Sequence, residues 1–212
     1  MARIDRRGLW YWERGTDGQG RWTPYAGQTY RPPGEELAAL RRGARREAGS
    51  VPAMWPFYVS VVEEEHLTGR DRGWQPPLTL QAEHHALTLF GLHQQSQSQP
   101  MHVKDVGMGT AILALRQSGR FSEEAVDRRF TQAATATSLT ELAQHLRGLV
   151  SQLRGAGKAQ PLDYSRLVED FRDWSWPQSQ HRVRRRWGGQ YHRWTQRADA
   201  SPESQPTATD PS

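Results

Sequence analysis

Arginines are concentrated in the stretch "HRVRRRWGGQYHRWTQR" at residues 181–197, which holds six of them among two tryptophans and a tyrosine. Residues 178–197 contain no acidic residue that could neutralise them. The planar guanidinium forms paired hydrogen bonds with phosphate oxygens and suits phosphate better than lysine does. The stretch therefore predicts a surface for a polyanionic partner, with a solvated basic face as the alternative.

On a helix this stretch separates into faces. Residues three, four and seven positions apart share one side of a helix. The apolar side holds Val183, Trp187, Tyr191 and Trp194, and another side holds Arg182, Arg186 and Arg193. We expect the aromatic residues to anchor the helix to a core rather than to stack on bases, and the arginines to face outward.

Further arginines occur on other predicted helices. Arg41 and Arg42 precede Arg45 and Arg46 by four residues, and like charges at that spacing repel along a helix. Tolerance of two such pairs indicates an anion nearby. The candidate nucleic-acid-binding residues are Arg41, Arg42, Arg45, Arg46, Arg128, Arg129, Arg147, Arg154, Arg182, Arg184, Arg185, Arg186 and Arg193. Arginines placed along helices would follow a nucleic-acid backbone without reading its bases.

Catalytic and metal-binding patterns are missing from the sequence. There is no cysteine, no H-E-x-x-H, no phosphate-binding loop motif and no G-x-S-x-G. His84 and His85 are adjacent and therefore point to different helix faces, and Glu63, Glu64 and Glu65 read as a solvated run. We expect no catalytic residue, no metal and no cofactor.

Composition limits the class of protein. Only 35% of the 212 residues are hydrophobic and the formal net charge is +5. No run approaches the roughly 18 apolar residues of a membrane helix, and the basic N-terminus lacks the apolar run of a secretory signal. We therefore expect a cytoplasmic protein without a membrane partner. Residues 198–212 hold Asp199, Glu203 and Asp210 and no base, and they form a predicted disordered tail.

The hydrophobic pattern of the first half predicts helices after an irregular start. Residues 1–34 are rich in aromatic residues, glycine and proline. A helix is expected from Glu35 through Ala48, and a second is expected from "VPAMWPFYVSVVEEEHL", with Pro56 in its first turn and Val61 facing inward. "LTLQAEHHALTLFGLH" predicts a third helix, and the run from Gln94 to Pro100 reads as a linker or mobile loop.

The second half carries the clearest helix signals. Ser122 has the position of an N-cap, Ser138 and Glu141 have capping-box spacing, and Asp163 precedes a further amphipathic stretch. Leu146 lies in the centre of a long apolar stripe at helical spacing. No alternating run demands a sheet. We predict an all-α protein of two small helical bundles in one elongated chain, one at residues 35–106 and one at residues 107–197.

The order of these segments resembles the CasB family, the small subunit of the type I-E CRISPR surveillance complex, Cascade. The segments are "ALRRGARREAGSVPAMWPFY", "GMGTAILALRQSGRFSEEAVDRRF", "SLTELAQHLRGLVSQLR", "LDYSRLVEDFRDW" and "HRVRRRWGGQY", and the resemblance covers roughly residues 35–195. The aromatic start, the "QQSQSQ" run and the acidic tail exceed the family pattern.

The resemblance implies a non-catalytic, all-helical protein that is present as two copies in the complex. Its implied partners are the other Cascade subunits, the guide RNA, the target DNA and the displaced DNA strand, which it helps to hold when the R-loop opens. Residues that match basic positions of the family are Arg41, Arg42, Arg128, Arg129, Arg147, Arg182 and Arg184.

Two other classes of protein fit the residues. "SGRFSEEAVDRRF" could form the turn and recognition helix of a transcription regulator, which would bind a two-fold symmetric operator in a sequence-dependent way. A basic protein that binds an acidic protein partner is the other alternative.

Overall fold

The computed structural model describes residues 8–25, 28–62, 75–158 and 160–193. Its α-helices are α1 (Gly34–Arg42), α2 (Leu78–His93), α3 (Met108–Gln117), α4 (Glu123–Ala134), α5 (Leu139–Gly155), α6 (Tyr164–Trp174) and α7 (Pro177–His192). Two 3₁₀ helices, Tyr11–Glu13 and Pro52–Phe57, and a short antiparallel pair, β1 (Pro24–Tyr25) and β2 (Gln28–Thr29), accompany them. The predicted all-α class is confirmed. The predicted tail of residues 198–212, Trp194 and the Glu63–Glu65 run lie outside the described residues.

Three of the predicted N-caps are present. The side chain of Ser122 accepts a hydrogen bond from the Ala125 amide, and those of Ser138 and Asp163 accept from the amides of Glu141 and Arg166. Each cap satisfies an amide that the first helical turn leaves without a partner. Local capping therefore fixes where α4, α5 and α6 begin.

The core is arranged around α2, which packs against α1, α5 and α6. Nearly the whole circumference of α2 is buried, including Glu83 and His84, as expected for a helix surrounded by others. Leu146 of α5 is fully buried, as its stripe predicts. Buried hydrophobic residues between Tyr11 and Tyr191 form one cluster. The division into bundles at residues 35–106 and 107–197 stays a prediction.

The predicted second helix is wrong. Residues Pro52–Phe57 form a 3₁₀ helix, after which Tyr58 is extended, and Val61 is 92% exposed instead of facing inward. The carboxylate of Glu83 accepts hydrogen bonds from the amides of Val59 and Ser60, at 2.7 and 2.9 Å. These amides are therefore satisfied by a buried side chain rather than by helical carbonyls.

The first helix is shorter than its apolar stripe predicts. The stripe extends to Ala48, whereas α1 ends at Arg42. Gly43 follows it, and a Cβ atom there would lie 2.1 Å from the sulfur of Met54. The Gly43 carbonyl is bound by a ring nitrogen of His84 at 2.9 Å. Arg45 then adopts a left-handed backbone with φ of 63°. Arg45 and Arg46 thus lie on a turn and not on the helix of Arg41 and Arg42.

The run from Gln94 to Pro100 is a loop held in place by hydrogen bonds and not an unattached linker. The Gln94 amide group donates to the carbonyls of Gln97 and Gln99, at 3.3 and 2.9 Å. The side chain of Gln97 donates to the carbonyl of Arg154 at 3.2 Å, which ties the loop to α5. The side chains of Gln94 and Gln97 thus supply contacts that hold the loop.

The aromatic N-terminal segment packs inward. Trp12 is 2% exposed, and its indole nitrogen donates to the Ser165 hydroxyl of α6 at 2.9 Å. The Ser165 hydroxyl in turn donates to Glu13 at 2.7 Å. Tyr11 is also buried, and its hydroxyl donates to Glu36 of α1 at 2.7 Å. Tyr11 and Trp12 are therefore part of the core.

Candidate nucleic-acid interface

Helix α7 is anchored by its aromatic side. Val183, Trp187 and Tyr191 are buried, as their spacing predicts. The ring of Trp187 stacks on Trp174 of α6 with centroids 5.5 Å apart and faces Phe130 of α4 at 6.3 Å. These aromatic residues pack in the core, α7 also packs against α3, and Arg182 and Arg185 of α7 remain exposed.

Arg186 has an acidic partner, contrary to the expectation that the arginines of this helix lack one. Its guanidinium forms an ion pair with Asp170 of α6, a residue that is 2% exposed. The other carboxylate oxygen of Asp170 accepts a hydrogen bond from the indole of Trp187 at 2.7 Å. Burial raises the pKa of Asp170, and Arg186 opposes that rise. Arg186 therefore serves to join α6 and α7.

Arg184 is also engaged within the protein. It is half-buried, and its guanidinium lies 5.1 Å from the centroid of the Trp174 ring. It donates to the Ala136 carbonyl at 3.3 Å and to the Gln180 side chain at 3.4 Å. These contacts hold α7 against the segment that precedes α5.

Arg182 and Arg185 are exposed on α7 and form what we call the α7 arginine face. Arg182 donates to the hydroxyl of Ser179 at 2.8 Å. Together with Arg186, Gly189 and Gln190, the two residues line a shallow groove of about 350 Å³. This groove is open, and its arginine side chains make it basic.

The remaining α7 candidate, Arg193, lies at the C-terminal end of the helix. It caps the helix with a left-handed backbone and donates to Gln117 of α3 at 3.5 Å. It borders a separate cavity of about 630 Å³ between α3 and α7. Arg128 and Arg129 are exposed on α4, a helix whose Asp127 pairs with Arg116 at 3.0 Å.

A second group, which we call the α5 arginine cluster, consists of Arg41, Arg45, Arg147 and Arg154. Burial lowers the pKa of the Arg147 guanidinium, and the charges of Arg45, Arg41 and Arg154 lower it further. One of its terminal nitrogens is buried and has no hydrogen-bond partner within the described residues. The turn after α1 and the length of α5 thus bring together cations that are far apart in sequence.

Charge compensation is scarce around both groups. Within residues 8–25, 28–62, 75–158 and 160–193, Arg186 is the one predicted arginine that pairs with a carboxylate. Arg154 instead donates to the neutral side chain of Gln95 at 2.8 Å. Arg42 and Arg46 are exposed beside the cluster. Concentrated positive charge that is mostly not ion-paired favours an external anion.

Sequence reasoning missed Asp170, although a signal was available. Asp170 directly precedes the buried Phe171 and follows Leu167 by three residues, which places it on the inner side of α6. An acid on an apolar stripe requires a partner, because an unpaired buried charge is costly. The excess arginines of α7 could have supplied that partner.

The described residues contain no group of three or more His, Asp or Glu side chains that could hold a metal ion. In the same part of the chain, no helix has the length and apolar character needed to cross a lipid bilayer. His84 uses its two ring nitrogens for Tyr58 at 2.6 Å and Gly43 at 2.9 Å, which is a structural role.

The fold and these surfaces define an all-helical protein with basic, uncompensated surfaces. Residues 36–192 match the family model of the CRISPR-associated protein Cse2, and the chain belongs to that family. The predicted membership in the CasB family, a Cascade subunit of CRISPR defence, is confirmed.

A solved structure supports the same assignment. The crystal structure of CasB from Thermobifida fusca is similar over 75% of this chain and 84% of that chain, with 31% sequence identity and a TM-score of 0.56. None of the curated proteins matches the chain.

Proposed function

We propose that this chain is a non-catalytic small subunit of Cascade that binds nucleic-acid backbone without sequence specificity. In this role it holds the target and displaced strands of the R-loop, beside the guide RNA, the other Cascade subunits and a second copy of itself. R-loop formation is a nearly balanced exchange of base pairs. Modest contacts to phosphates are therefore enough to favour the open state.

The environment of Arg147 carries this proposal. Its guanidinium is half-buried among three other arginines, and one of its nitrogens lacks a partner within the described residues. Buried polar groups are usually satisfied, and a partly buried charge beside like charges costs free energy. A phosphate placed here would supply both the missing acceptor and the missing negative charge.

The nature of the contacts supports backbone binding over base reading. Guanidinium groups of the α5 arginine cluster come from α1, a turn and α5, so they form a patch rather than the single row of a recognition helix. On α4, the helix that a regulator would place in the major groove, Val126 and Phe130 are buried. Its exposed Arg128 and Arg129 can contact phosphates from the outside.

Binding of the full-length protein to two unrelated single-stranded oligonucleotides tests the proposal. We expect similar affinities for both sequences, falling steeply between about 50 and 200 mM salt. Arg147→Gln should weaken both complexes alike and reduce the salt dependence, and Arg120→Gln, an exposed arginine outside the cluster, should change binding less. Binding of one sequence alone would support the regulator instead, and unchanged binding by Arg147→Gln would remove the cluster from the interface.

A further inference from the structure

Two tryptophans are exposed to an unusual degree. Trp55 and Trp176 are 59% and 60% exposed, whereas Trp12, Trp174 and Trp187 are at most 2% exposed. Large aromatic side chains normally contribute to the core or to an interface. Within the described residues, neither exposed indole has a ring contact with another aromatic side chain. Both rings are therefore open to an external partner.

Trp55 is held against the turn segment that follows α1. Its indole nitrogen donates to the carbonyl of Gly49 at 2.8 Å, which fixes one edge of the ring against the turn after α1. That turn carries Arg45 and Arg46 against a single acid, Glu47. Arg45 is close enough to Arg147 for its charge to lower the pKa of that residue. The ring is thus bonded to the same turn segment that carries Arg45, one of the candidate phosphate contacts.

Trp176 lies at the start of the helix that carries the α7 arginine face. It precedes the first residue of α7, and its carbonyl accepts hydrogen bonds from the amides of Ser179 and Gln180, at 2.8 and 3.0 Å. These bonds fix its backbone. Arg182 lies six residues further along, which is about 9 Å at the 1.5 Å rise of an α-helix. A strand that runs from this ring along α7 would meet the exposed Arg182 and Arg185.

We propose that Trp55 and Trp176 are stacking platforms for unpaired bases of a single-stranded nucleic acid, whose phosphates the neighbouring arginines hold. This inference rests on the proposed function and narrows its ligand to a single strand, because the bases of a duplex are already stacked on each other. Stacking on an aromatic ring tolerates every base, so it agrees with binding that lacks sequence specificity. Both rings belong to segments that carry exposed arginines, which favours a polyanionic strand over an apolar protein surface.

The test compares full-length protein binding to an oligothymidine strand and to an abasic strand of the same length, which has the same phosphates but no bases. Trp55→Leu and Trp176→Leu keep an apolar side chain and remove the ring. Each should weaken oligothymidine binding by roughly tenfold and leave abasic binding unchanged. Trp55→Phe and Trp176→Phe keep a ring and should retain most of the affinity. Val61→Ser, which alters an exposed apolar residue without a ring, is the matched control.

Each negative binding result would reject a different proposal. If the unaltered protein binds neither strand, the proposed function is wrong and the stacking inference fails with it. If the protein binds but the leucine variants lose affinity equally for both strands, or lose none, the stacking inference alone is wrong. Leucine variants that bind both strands normally but no longer retain the other Cascade subunits on purification would assign the two rings to a protein interface and reject the inference.

Discussion

Arg186 of α7 donates a hydrogen bond to Asp170 of α6, and the indole of Trp187 donates to the other oxygen of the same carboxylate at 2.7 Å. A nearly fully buried acid is thereby satisfied by two successive residues of one helix. The ion pair fixes the rotation of α7 about its axis. It consequently determines which of the neighbouring arginines face solvent.

Loss of this ion pair should destabilise the fold in a pH-dependent way. In Arg186→Ala, Asp170 stays buried without its cation, so its folded-state pKa rises further above the ordinary value near 4. Above about pH 4 the folded variant then binds more protons than the unfolded variant. Its free energy of unfolding therefore decreases as pH rises. We expect a loss of about 1–3 kcal/mol at neutral pH that shrinks towards pH 4. Urea unfolding across this range measures it, and a loss independent of pH would contradict the assignment.

The exposed arginines of α7 should affect DNA binding, whereas its half-buried Arg184 should affect stability. Arg182→Ala combined with Arg185→Ala should weaken DNA binding for all sequences while leaving the melting temperature unchanged, because both side chains are exposed. Arg184→Ala should instead lower the melting temperature, since Arg184 bonds the Ala136 carbonyl and lies over the Trp174 ring. Anisotropy titrations and thermal melts of the two variants separate these effects. Full binding by the double variant would exclude the α7 arginine face.

Truncating a core leucine of α5 should leave a cavity that lowers the free energy of unfolding. Leu146 is fully buried, so Leu146→Ala should reduce the free energy of unfolding by about 2–5 kcal/mol. Gln144 is exposed on the same helix, and Gln144→Ala serves as the matched control with little expected effect. Denaturant titration gives both values. A Leu146→Ala protein as stable as the unaltered chain would place this leucine outside the core.

Two helical glycines should respond oppositely to alanine. A Cβ atom on Gly109 of α3 would lie 2.1 Å from the Trp187 carbonyl of α7, so Gly109→Ala should destabilise the fold by about 1–3 kcal/mol or more. A Cβ atom on Gly148 of α5 would meet nothing within 4 Å, and Gly148→Ala should stabilise that helix by up to about 1 kcal/mol. Equal shifts in melting temperature would show that α3 and α7 do not cross this closely.

Buried histidines predict a loss of stability in acid. Burial lowers the pKa of His93 to about 3, and its ring nitrogen is bonded to the Tyr164 hydroxyl at 3.0 Å. His93 takes up a proton near pH 6.5 in the unfolded chain but not in the folded chain. Its contribution to the free energy of unfolding is therefore complete above pH 6.5 and is lost as pH decreases below 6.5. His93→Gln keeps a polar partner and should flatten the fall measured by thermal melts between pH 7 and 4. An unchanged slope would show that other groups dominate.

Helix positions were predictable where the signals are local. Ser122, Ser138 and Asp163 were identified as caps from the residues that follow them, and all three accept the expected amide. The end of α1 was not predictable in this way. It depends on Gly43 approaching Met54 and His84, the latter 41 residues away in sequence.

The site was predictable in composition but not in arrangement. The arginine content indicated an anionic partner, but the separation of roles within α7 depends on Asp170, which lies on another helix. The α5 arginine cluster likewise joins a turn and a helix about 100 residues apart, an arrangement set by long-range packing. Local periodicity has no access to such contacts.

The bond between Trp12 and Ser165 spans 153 positions of the chain. A nascent chain grows from its N-terminus at about 5–20 residues per second, so Trp12 leaves the ribosome several seconds before its partner on α6 exists. During that interval Tyr11 and Trp12 have no finished core to enter and present apolar surface to chaperones. The indole of Trp12 therefore cannot make its native hydrogen bond until the chain has been extended past residue 165.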